Sequence, residues 1–201
     1  MLYLVRHGKT AYNAERRLQG QLDIPLCYGG LLQAEELGLR LKKEGRSFGA
    51  LYCSRLLRAK VTAGIIGRHL GLAPVAVEGL QEIFFGKFQG HTFAEVEELF
   101  PDEHADYLSD RANSKAHGGE NPKQVFSRAR AALFTLSEVR QLAAGEAAPD
   151  ALVVCHGAVI AYLRAAAMGM GLDNITELIP KNAELIPLDS EALLRIRDIT
   201  Y

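Results

Sequence analysis

The chain has 201 residues, the length of one domain or of one domain with an insertion. Hydrophobic residues make up 48% of it and charged residues 23%, which is the composition of a folded globular protein and not of a disordered or collagen-like chain. With 23 Lys and Arg against 24 Asp and Glu, the formal net charge is −1, which argues against a strongly basic nucleic-acid-binding protein.

Cysteine usage and the N-terminus favour a cytoplasmic protein. The 3 cysteines, Cys27, Cys53 and Cys155, are an odd number and far apart, so neither a disulfide framework nor a zinc knuckle is expected. The chain begins without an apolar signal-peptide core. The most apolar later run, residues 151–163, is shorter than the roughly 20 residues that cross a bilayer. We therefore predict a soluble, cytoplasmic chain that binds neither membranes nor nucleic acid.

The first half of the chain alternates short apolar runs with helical patterns. Leu2–Val5 predicts a buried strand, and Leu31–Lys43 places its apolar residues on one face of a helix. Ala50–Cys53 predicts a second buried strand. A helix follows over residues 57–70, and Val75–Val77 is a weaker strand candidate.

The second half opens with residues 84–120, the least strand-like part of the chain, which we interpret as a helical insertion over one end of the sheet. Within it, the capping-box pattern Thr92–Glu95 predicts a helix that ends before Pro101. Asn121–Pro122 then supplies a cap and a first-turn proline for another helix. Its apolar stripe is Val125, Ala129, Ala132, Leu136, Val139 and Ala143.

Toward the C-terminus, Ala151–Cys155 predicts a third buried strand, and Glu184–Leu188 with Leu193–Arg197 predicts a terminal hairpin. Strands that alternate with helices indicate an α/β fold. We expect a three-layer αβα sandwich with a mostly parallel, doubly wound sheet, and residues 1–201 forming one domain.

Basic side chains follow the predicted buried strands. Arg6 and His7 come directly after the first strand, and His156 directly after the third. Ser54 ends the second strand, and Arg58 lies in the first turn of the helix behind it. Because ligands of such sheets bind at the carboxyl ends of the strands, these side chains should converge if the strands are neighbours.

Those residue types suit phosphate chemistry. Arginine presents a planar fork of donors to phosphate oxygens, and nearby positive charge keeps a histidine neutral and therefore nucleophilic. Helix N-termini after Gly8, Ser54 and Gly157 should add backbone N–H groups. A metal site is the alternative, but no HxH or HxxxH pattern is present and two guanidinium groups would repel a divalent cation. We expect neither a metal nor another cofactor.

Motifs of one family occur in order along nearly the whole chain. The segment Leu4–Thr10, Leu-Val-Arg-His-Gly-Lys-Thr, followed by Asn13, resembles the signature of the histidine phosphatase superfamily, phosphoglycerate-mutase-like branch. Further similar segments are Arg17–Gly20, Asp23–Leu26, Gly30, Gln33–Ala34, Ser54–Ala59, Thr62–Ala63, Leu80–Glu82, Phe85–Gly86, Gln89–Gly90, Gly118–Glu120, Val154–Gly157 and Asn182–Ala183. An Arg-His-Gly triplet alone would be weak evidence for this family, whereas the full set of motifs in order is specific evidence.

The resemblance implies roles for these residues. His7 would attack phosphorus and become a phosphohistidine, and Glu82 would protonate the leaving oxygen and then activate water. The groups expected to hold the phosphoryl oxygens are Arg6, Arg58 and His156, and the further phosphate or substrate contacts are Asn13, Gln19, Gly20 and Gly157. The resemblance implies no metal.

Some positions depart from the family pattern or stay open. Lys9 stands where glutamate is usual and could favour a more anionic substrate. Asn121 replaces a serine after Gly-Gly-Glu and is interpreted as a helix cap, while Glu120 is ambiguous. His117 could line the substrate mouth. The aromatic residues Phe84, Phe85, Phe88 and Phe93 would give that mouth an apolar lining or would pack the insertion onto the sheet.

The sequence favours a hydrolase over a mutase. A mutase needs extra cations above the site, and the predicted insertion offers only Lys87, Arg111 and Lys115. We therefore predict a metal-independent phosphomonoester hydrolase that acts on a small-molecule phosphate ester, such as α-ribazole phosphate or a sugar phosphate, as a monomer or homodimer. Mutase-type phosphoryl transfer and a non-catalytic phospho-ligand binder are the alternatives.

Overall fold

A computed structural model of the chain describes residues 1–114, 118–144 and 148–201. The strands, numbered along the chain, are β1 (Leu2–Arg6), β2 (Ala50–Ser54), β3 (Pro74–Val77), β4 (Ala151–Cys155) and β5 (Leu185–Leu188). They form one sheet in the order β3-β2-β4-β1-β5, in which only β5 runs antiparallel to its neighbour. The mostly parallel sheet that the sequence predicts is confirmed.

Helices connect these strands and cover the sheet. They are α1 (Ala11–Ala14), α2 (Tyr28–Lys43), α3 (Leu57–Leu70), α4 (Phe93–Leu99), α5 (Pro101–Ser109), α6 (Pro122–Ala144), α7 (Gly157–Ala167) and α8 (Ser190–Asp198). Short 3-10 turns lie at Gly86–Phe88 and Thr176–Leu178. The predicted caps are confirmed, since Thr92 forms a capping box and the Asn121 Oδ1 accepts from the Gln124 N–H at 2.9 Å.

Alternate side chains of each strand enter two different cores. Leu2 and Leu4 of β1 pack with α6 and α7, whereas Tyr3 and Val5 pack with α2 and α3. This division follows from the two-residue period of a strand, and it produces the predicted three layers. The part of the α6 stripe from Val125 to Leu136 is buried, while the side chains of Val139 and Ala143 lie outside the described residues.

The predicted C-terminal hairpin is wrong in its second half. Residues 193–197 lie in α8, because Asp189 caps that helix by accepting the Ala192 N–H at 2.8 Å, and Ile196 is buried against the core at helical spacing. The first half is a strand, but β5 pairs with β1 instead of with a following strand. The Asp-Ser-Glu sequence is a helix start and not a turn.

The sheet order decides where the candidate site lies. β1, β2 and β4 are neighbours, so their carboxyl ends form one edge, as the sequence analysis required. α4 and α5 lie in the segment between β3 and α6, where Phe88, Val96 and Tyr107 form a small apolar cluster of their own. No helix among the described residues is both long enough and apolar enough to span a membrane.

Candidate active site

His7 follows β1 directly and lies buried at the bottom of a cavity, with 2% of its surface exposed. Its N–H donates to the Cys155 carbonyl at 3.0 Å, and the Asn182 side-chain amide donates to its carbonyl at 2.9 Å. The Nδ1 atom lies 2.7 Å from the Gly8 carbonyl, which can only accept, so Nδ1 carries the proton. In a neutral ring, Nε2 therefore has a free lone pair.

The surroundings of His7 keep its ring neutral. Burial and the nearby Arg58 guanidinium lower its pKa well below the ordinary value of 6.5, and Arg6 adds to this effect. The hydrogen bond to Gly8 opposes the shift without reversing it. The ring is therefore an unprotonated nucleophile at neutral pH.

Glycine at position 8 is required by close packing of the loop behind His7. A Cβ atom there would lie 2.3 Å from the Gly30 carbonyl oxygen at the start of α2. The Gly8 N–H donates to the Thr62 hydroxyl of α3 at 3.0 Å. The loop is thus pressed onto two helices, which explains physically why the Arg-His-Gly motif ends in glycine.

Arg58 is a fully buried cation in the first turn of α3. Its Nη1 donates to the Leu22 carbonyl and its Nη2 to the Gly20 carbonyl, both at 2.7 Å. Burial lowers its pKa to about 10, and no carboxylate of the described residues forms an ion pair with it. A buried guanidinium held only by carbonyls is complementary to an anion from outside the chain.

Arg6 and His156 complete the basic cluster, defined as Arg6, His7, Arg58 and His156. The Arg6 Nη1 donates to the Pro180 carbonyl at 2.6 Å. The His156 Nε2 lies 2.7 Å from the Ser54 hydroxyl, and its ring centre lies 5.2 Å from that of His7. Burial, together with Arg58 and His7, holds the pKa of His156 well below its usual range.

Three nitrogen atoms of this cluster have no hydrogen-bond partner within the described part of the chain. Among the described residues, the buried side-chain nitrogen and oxygen atoms without a partner are Arg6 Nε, Arg58 Nε and His156 Nδ1. Buried polar groups are almost always paired, because an unpaired one costs roughly 1–3 kcal/mol. Their concentration around one neutral imidazole indicates a site built for an anionic ligand.

Glu82 lies on the loop after β3 and lines the same cavity. Its Oε1 accepts from the Ile83 N–H at 2.9 Å, and its Oε2 accepts from the Ala158 N–H of α7 at 3.2 Å. The carboxyl group is thus held between its own loop and the start of α7. The loop and the basic cluster bring an acid and a nucleophile to one cavity.

The remaining sequence-predicted contacts, Asn13, Gln19, Gly20 and Gly157, also line the cavity. The Asn13 Oδ1 accepts from the Thr10 N–H at 3.1 Å and from the Asn182 amide at 3.3 Å, so its Nδ2 is the atom available to a ligand. The Gln19 Oε1 accepts from the Thr10 hydroxyl at 2.9 Å. Both amides are oriented by the loop that carries His7.

The cavity has a volume of about 520 Å³ and an outer wall that differs in character from the basic cluster. This outer wall consists of Phe93, His104, Tyr107, Leu108 and Arg111. Phe85 also lines the cavity, whereas Phe88 is buried elsewhere and Phe84 lies outside the lining. Only part of the predicted aromatic lining is therefore present.

Two further expectations need correction. The first N–H of α3, at Leu57, donates to the Asp23 carboxylate at 2.6 Å, and the Ala158 N–H near the start of α7 is taken by Glu82. These two N–H groups are therefore not available to an anion, and the prediction that helix N-termini add donors is corrected at these two positions. Lys9 is exposed and does not line the cavity, and His117 lies outside the described residues.

Sequence reasoning missed three supporting side chains. The sequence places Ser54 only at the end of a strand before a helix, whereas in the structure its hydroxyl contacts His156. Asn182 was part of a motif without a role, and it holds the His7 carbonyl and Asn13. Arg128 had no signal beyond its place in α6, yet it donates to the carbonyl of Glu82 at 3.0 Å.

Comparison with known proteins identifies the family of this chain. The family model described as the histidine phosphatase superfamily (branch 1) matches residues 2–192. Glucosyl-3-phosphoglycerate phosphatase of Mycolicibacterium vanbaalenii is 36% identical over 176 residues, which are 86% of this chain and 76% of that protein. Phosphoglycerate mutase-like protein 4 of Arabidopsis thaliana is 34% identical over 164 residues, 81% of this chain and 68% of that protein.

Solved structures of phosphatases have a similar fold. The native structure of mycobacterial glucosyl-3-phosphoglycerate phosphatase superposes with a TM-score of 0.77 at 31% identity, covering 92% of this chain and 87% of that one. The α-ribazole phosphatase from Shigella flexneri superposes with a TM-score of 0.80 at 24% identity, covering 94% and 91%, a likeness that concerns the fold alone. On its motifs, its fold and the family match over residues 2–192, the chain belongs to the histidine phosphatase superfamily.

Proposed function

We propose that the protein is a metal-independent phosphomonoester hydrolase that acts through a phosphohistidine at His7. The observation that carries this proposal is the set of partnerless buried nitrogen atoms on Arg6, Arg58 and His156 around a neutral imidazole. A phosphoryl group presents oxygens that match such donors. The phosphatase names of relatives at more than 30% identity support the same reaction class.

In the first half-reaction, the His7 Nε2 lone pair attacks phosphorus as the ester P–O bond breaks. Arg6, Arg58 and His156 hold the equatorial oxygens and stabilise the charge that develops on them. Glu82, in its protonated form, transfers its proton to the departing oxygen, so the alcohol leaves neutral. The products are the alcohol, phosphorylated His7 and the Glu82 carboxylate.

The second half-reaction reverses the proton transfer. The Glu82 carboxylate accepts a proton from water as the water oxygen attacks phosphorus and the P–N bond breaks. Inorganic phosphate leaves, His7 returns to the neutral ring with its proton on Nδ1, and Glu82 is protonated again. The hydrogen bond from Nδ1 to the Gly8 carbonyl keeps Nε2 as the reacting atom in both steps.

The cavity supports a small phosphate ester with an apolar or ring-bearing leaving group. Phe85, Phe93 and Tyr107 lie along it, so a sugar or ribazole ring could pack beside them. Mutase-type transfer is less well supported because it needs a second anion clamp. Of the cavity's outer arginines, Arg17 is already paired with Glu15 and Glu95, at 2.9 and 2.6 Å.

The test of the mechanism is a rapid alkaline quench of the enzyme during turnover of 4-nitrophenyl phosphate without added metal. We expect phosphate bound to the protein through an acid-labile bond, and its disappearance in His7→Ala. Turnover should fall by roughly 10⁴- to 10⁶-fold in that variant. Thermal unfolding of His7→Ala is the control for its fold. Retained turnover in His7→Ala, or an unchanged amount of phosphoenzyme in that variant, would contradict the proposal. If the unmodified protein bound phosphate esters without turnover, it would be a non-catalytic binder and the proposal would be wrong.

Glu82→Gln tests the proton donor separately. In a single turnover, phosphorylation by an alkyl phosphate should slow by about 10²- to 10⁴-fold, because an alkoxide needs a proton to leave. Phosphorylation by 4-nitrophenyl phosphate should change little, since nitrophenolate leaves without one. Equal losses with both substrates would show that Glu82 is not the donor.

A further inference from the structure

An ion pair lies behind the loop that carries Glu82. Glu120 precedes α6, and Arg128 lies two turns along that helix. The Arg128 Nε contacts Glu120 Oε1 at 2.7 Å, and its Nη2 contacts Oε2 at 2.8 Å. Each side chain is 22% exposed and neither lines the cavity, so this ion pair does not touch a ligand there.

The remaining donors of Arg128 bind the backbone of the Glu82 loop. Its Nη1 donates to the carbonyls of Gly79 at 2.8 Å and Gln81 at 2.6 Å, and its Nη2 to the Glu82 carbonyl at 3.0 Å. A single guanidinium thus donates to three carbonyls of one loop, and the Glu82 carbonyl also accepts from the Gln21 side-chain amide at 3.0 Å.

Glu120 fixes the same loop from the other side of Glu82. Its Oε2 accepts from the Phe84 N–H at 2.9 Å, and its own N–H donates to the Phe84 carbonyl at 2.8 Å. Burial raises the pKa of Glu120, but hydrogen bonds from Arg128 and Phe84 outweigh that effect and lower it overall. Glu120 is therefore a carboxylate that accepts hydrogen bonds and not a second proton donor.

The loop position determines where the Glu82 carboxyl group lies. That group spans from the Ile83 N–H of the loop to the Ala158 N–H of α7, the residue after Gly157. The longer contact, 3.2 Å, is the one to the helix, so a small shift of the loop would break it first. Misplacement by about 1 Å can slow an enzymatic step by about 10²-fold.

We propose that Glu120 and Arg128 are positioning residues that hold the Glu82 loop, so that the Glu82 carboxyl group lies where it can protonate the leaving oxygen. This inference rests on the proposed function, because it assigns Glu82 as the proton donor. It predicts that a substitution in the ion pair slows phosphorylation more for a leaving group that needs a proton than for one that leaves without a proton. A merely structural ion pair would instead affect all substrates alike.

The experiment compares single-turnover phosphorylation by an alkyl phosphate and by 4-nitrophenyl phosphate in Arg128→Lys and Glu120→Gln. We expect the alkyl reaction to slow about 10- to 100-fold and the nitrophenyl reaction to stay within about threefold. Arg130→Lys is the matched control, since Arg130 lies in the same helix and donates to the Ile199 carbonyl at 2.8 Å, away from the cavity. That variant should alter neither rate.

The outcomes separate this inference from the proposed function. If Glu82→Gln changes the ratio of the two rates and both ion-pair variants leave it unchanged, the inference is wrong and the proposed function stands. Equal losses with the two substrates, or losses that follow the unfolding temperature, also overturn it. If Glu82→Gln itself leaves the ratio unchanged, the donor assignment and the inference fail together.

Discussion

The basic cluster and the outer wall are two parts of one cavity, and they are built in different ways. Arg6, His7 and His156 stand at or directly after buried parallel strands, and they are held by hydrogen bonds to the backbone or to Ser54. The outer wall comes from α4, α5 and the turn behind them, and its contacts are mainly between rings, such as Phe93 stacked on Tyr107. Hydrogen bonds fix the orientation of the side chains in the first arrangement, whereas ring contacts in the second supply the shape of the cavity.

This difference teaches which part of the molecule sets the reaction and which part sets the choice of substrate. Groups that must contact a phosphoryl oxygen need rigid supports, and the ends of a buried sheet supply them. Rings on exposed helices can change without disturbing those supports. We therefore expect substitutions in the basic cluster to affect all substrates, and substitutions in the outer wall to affect some.

Of the substitutions that compare the two parts of the cavity, Arg58→Lys should have the largest effect. Lysine keeps the charge but cannot donate to the Leu22 and Gly20 carbonyls and to a phosphoryl oxygen in one plane. We expect kcat/KM to fall by about 10²- to 10³-fold for every substrate. The control is Arg55→Lys, because Arg55 is exposed and pairs with Glu78 at 2.9 Å. A loss that depends on the leaving group would contradict a role in holding oxygens.

The next effect concerns how the free energy of unfolding depends on pH. Since His7 and His156 have lowered pKa values in the folded chain, the unfolded chain binds more protons below its histidine pKa of about 6.5. The free energy of unfolding should therefore fall as the pH is lowered from 7.5 to 5, by at most about 1.4 kcal/mol per pH unit for each histidine.

Denaturant unfolding at several pH values measures this slope. His7→Asn and His156→Asn should each flatten it, and Phe93→Ala in the outer wall should not. Slopes are compared, so a general loss of stability in a variant does not affect the result. Identical slopes in all these proteins would show that the cluster is not held neutral.

A smaller effect is expected from Ser54→Ala. With the His156 ring neutral, a Ser54 hydroxyl that donates to Nε2 places the ring proton on Nδ1, the partnerless atom. Loss of one such bond should reduce kcat/KM by about tenfold. Ser137→Ala is the control, because its hydroxyl bonds the Leu133 carbonyl within α6. A rate equal to that of the control would remove this role of Ser54.

The smallest effect, and the most selective, should come from Phe93→Ala. Loss of one aromatic contact should raise KM for a ring-bearing phosphate by about 2- to 10-fold. The inhibition constant of inorganic phosphate should not change, because phosphate reaches only the basic cluster. Leu99→Ala, on an exposed position of the same helix, serves as control. A parallel change in phosphate inhibition would contradict the division into two parts.

Much of the cluster was predictable because its residues are tied to strand ends. Apolar runs mark β1, β2 and β4 without any knowledge of the fold, and Arg6, His7 and His156 follow those runs at once. The terminal hairpin is a wrong prediction because a short amphipathic segment fits both the period of a strand and the period of a helix. Its cap and its buried face, which the structure shows, decide for the helix. The division of the chain stays a prediction, namely one domain over residues 1–201 with an insertion at 84–120.

The sequence by itself determined the strand ends, the family motifs and therefore the kinds of side chain that meet at the sheet edge. These features depend on local patterns, which are encoded by neighbouring residues. Only the tertiary structure decided that the Arg128 guanidinium binds the Glu82 loop and that Ser54 contacts His156. It also decided that Asp23 accepts the first N–H of α3 and that Glu82 accepts the second N–H of α7. Such contacts join residues distant in sequence, and their geometry follows from how the helices pack on the sheet.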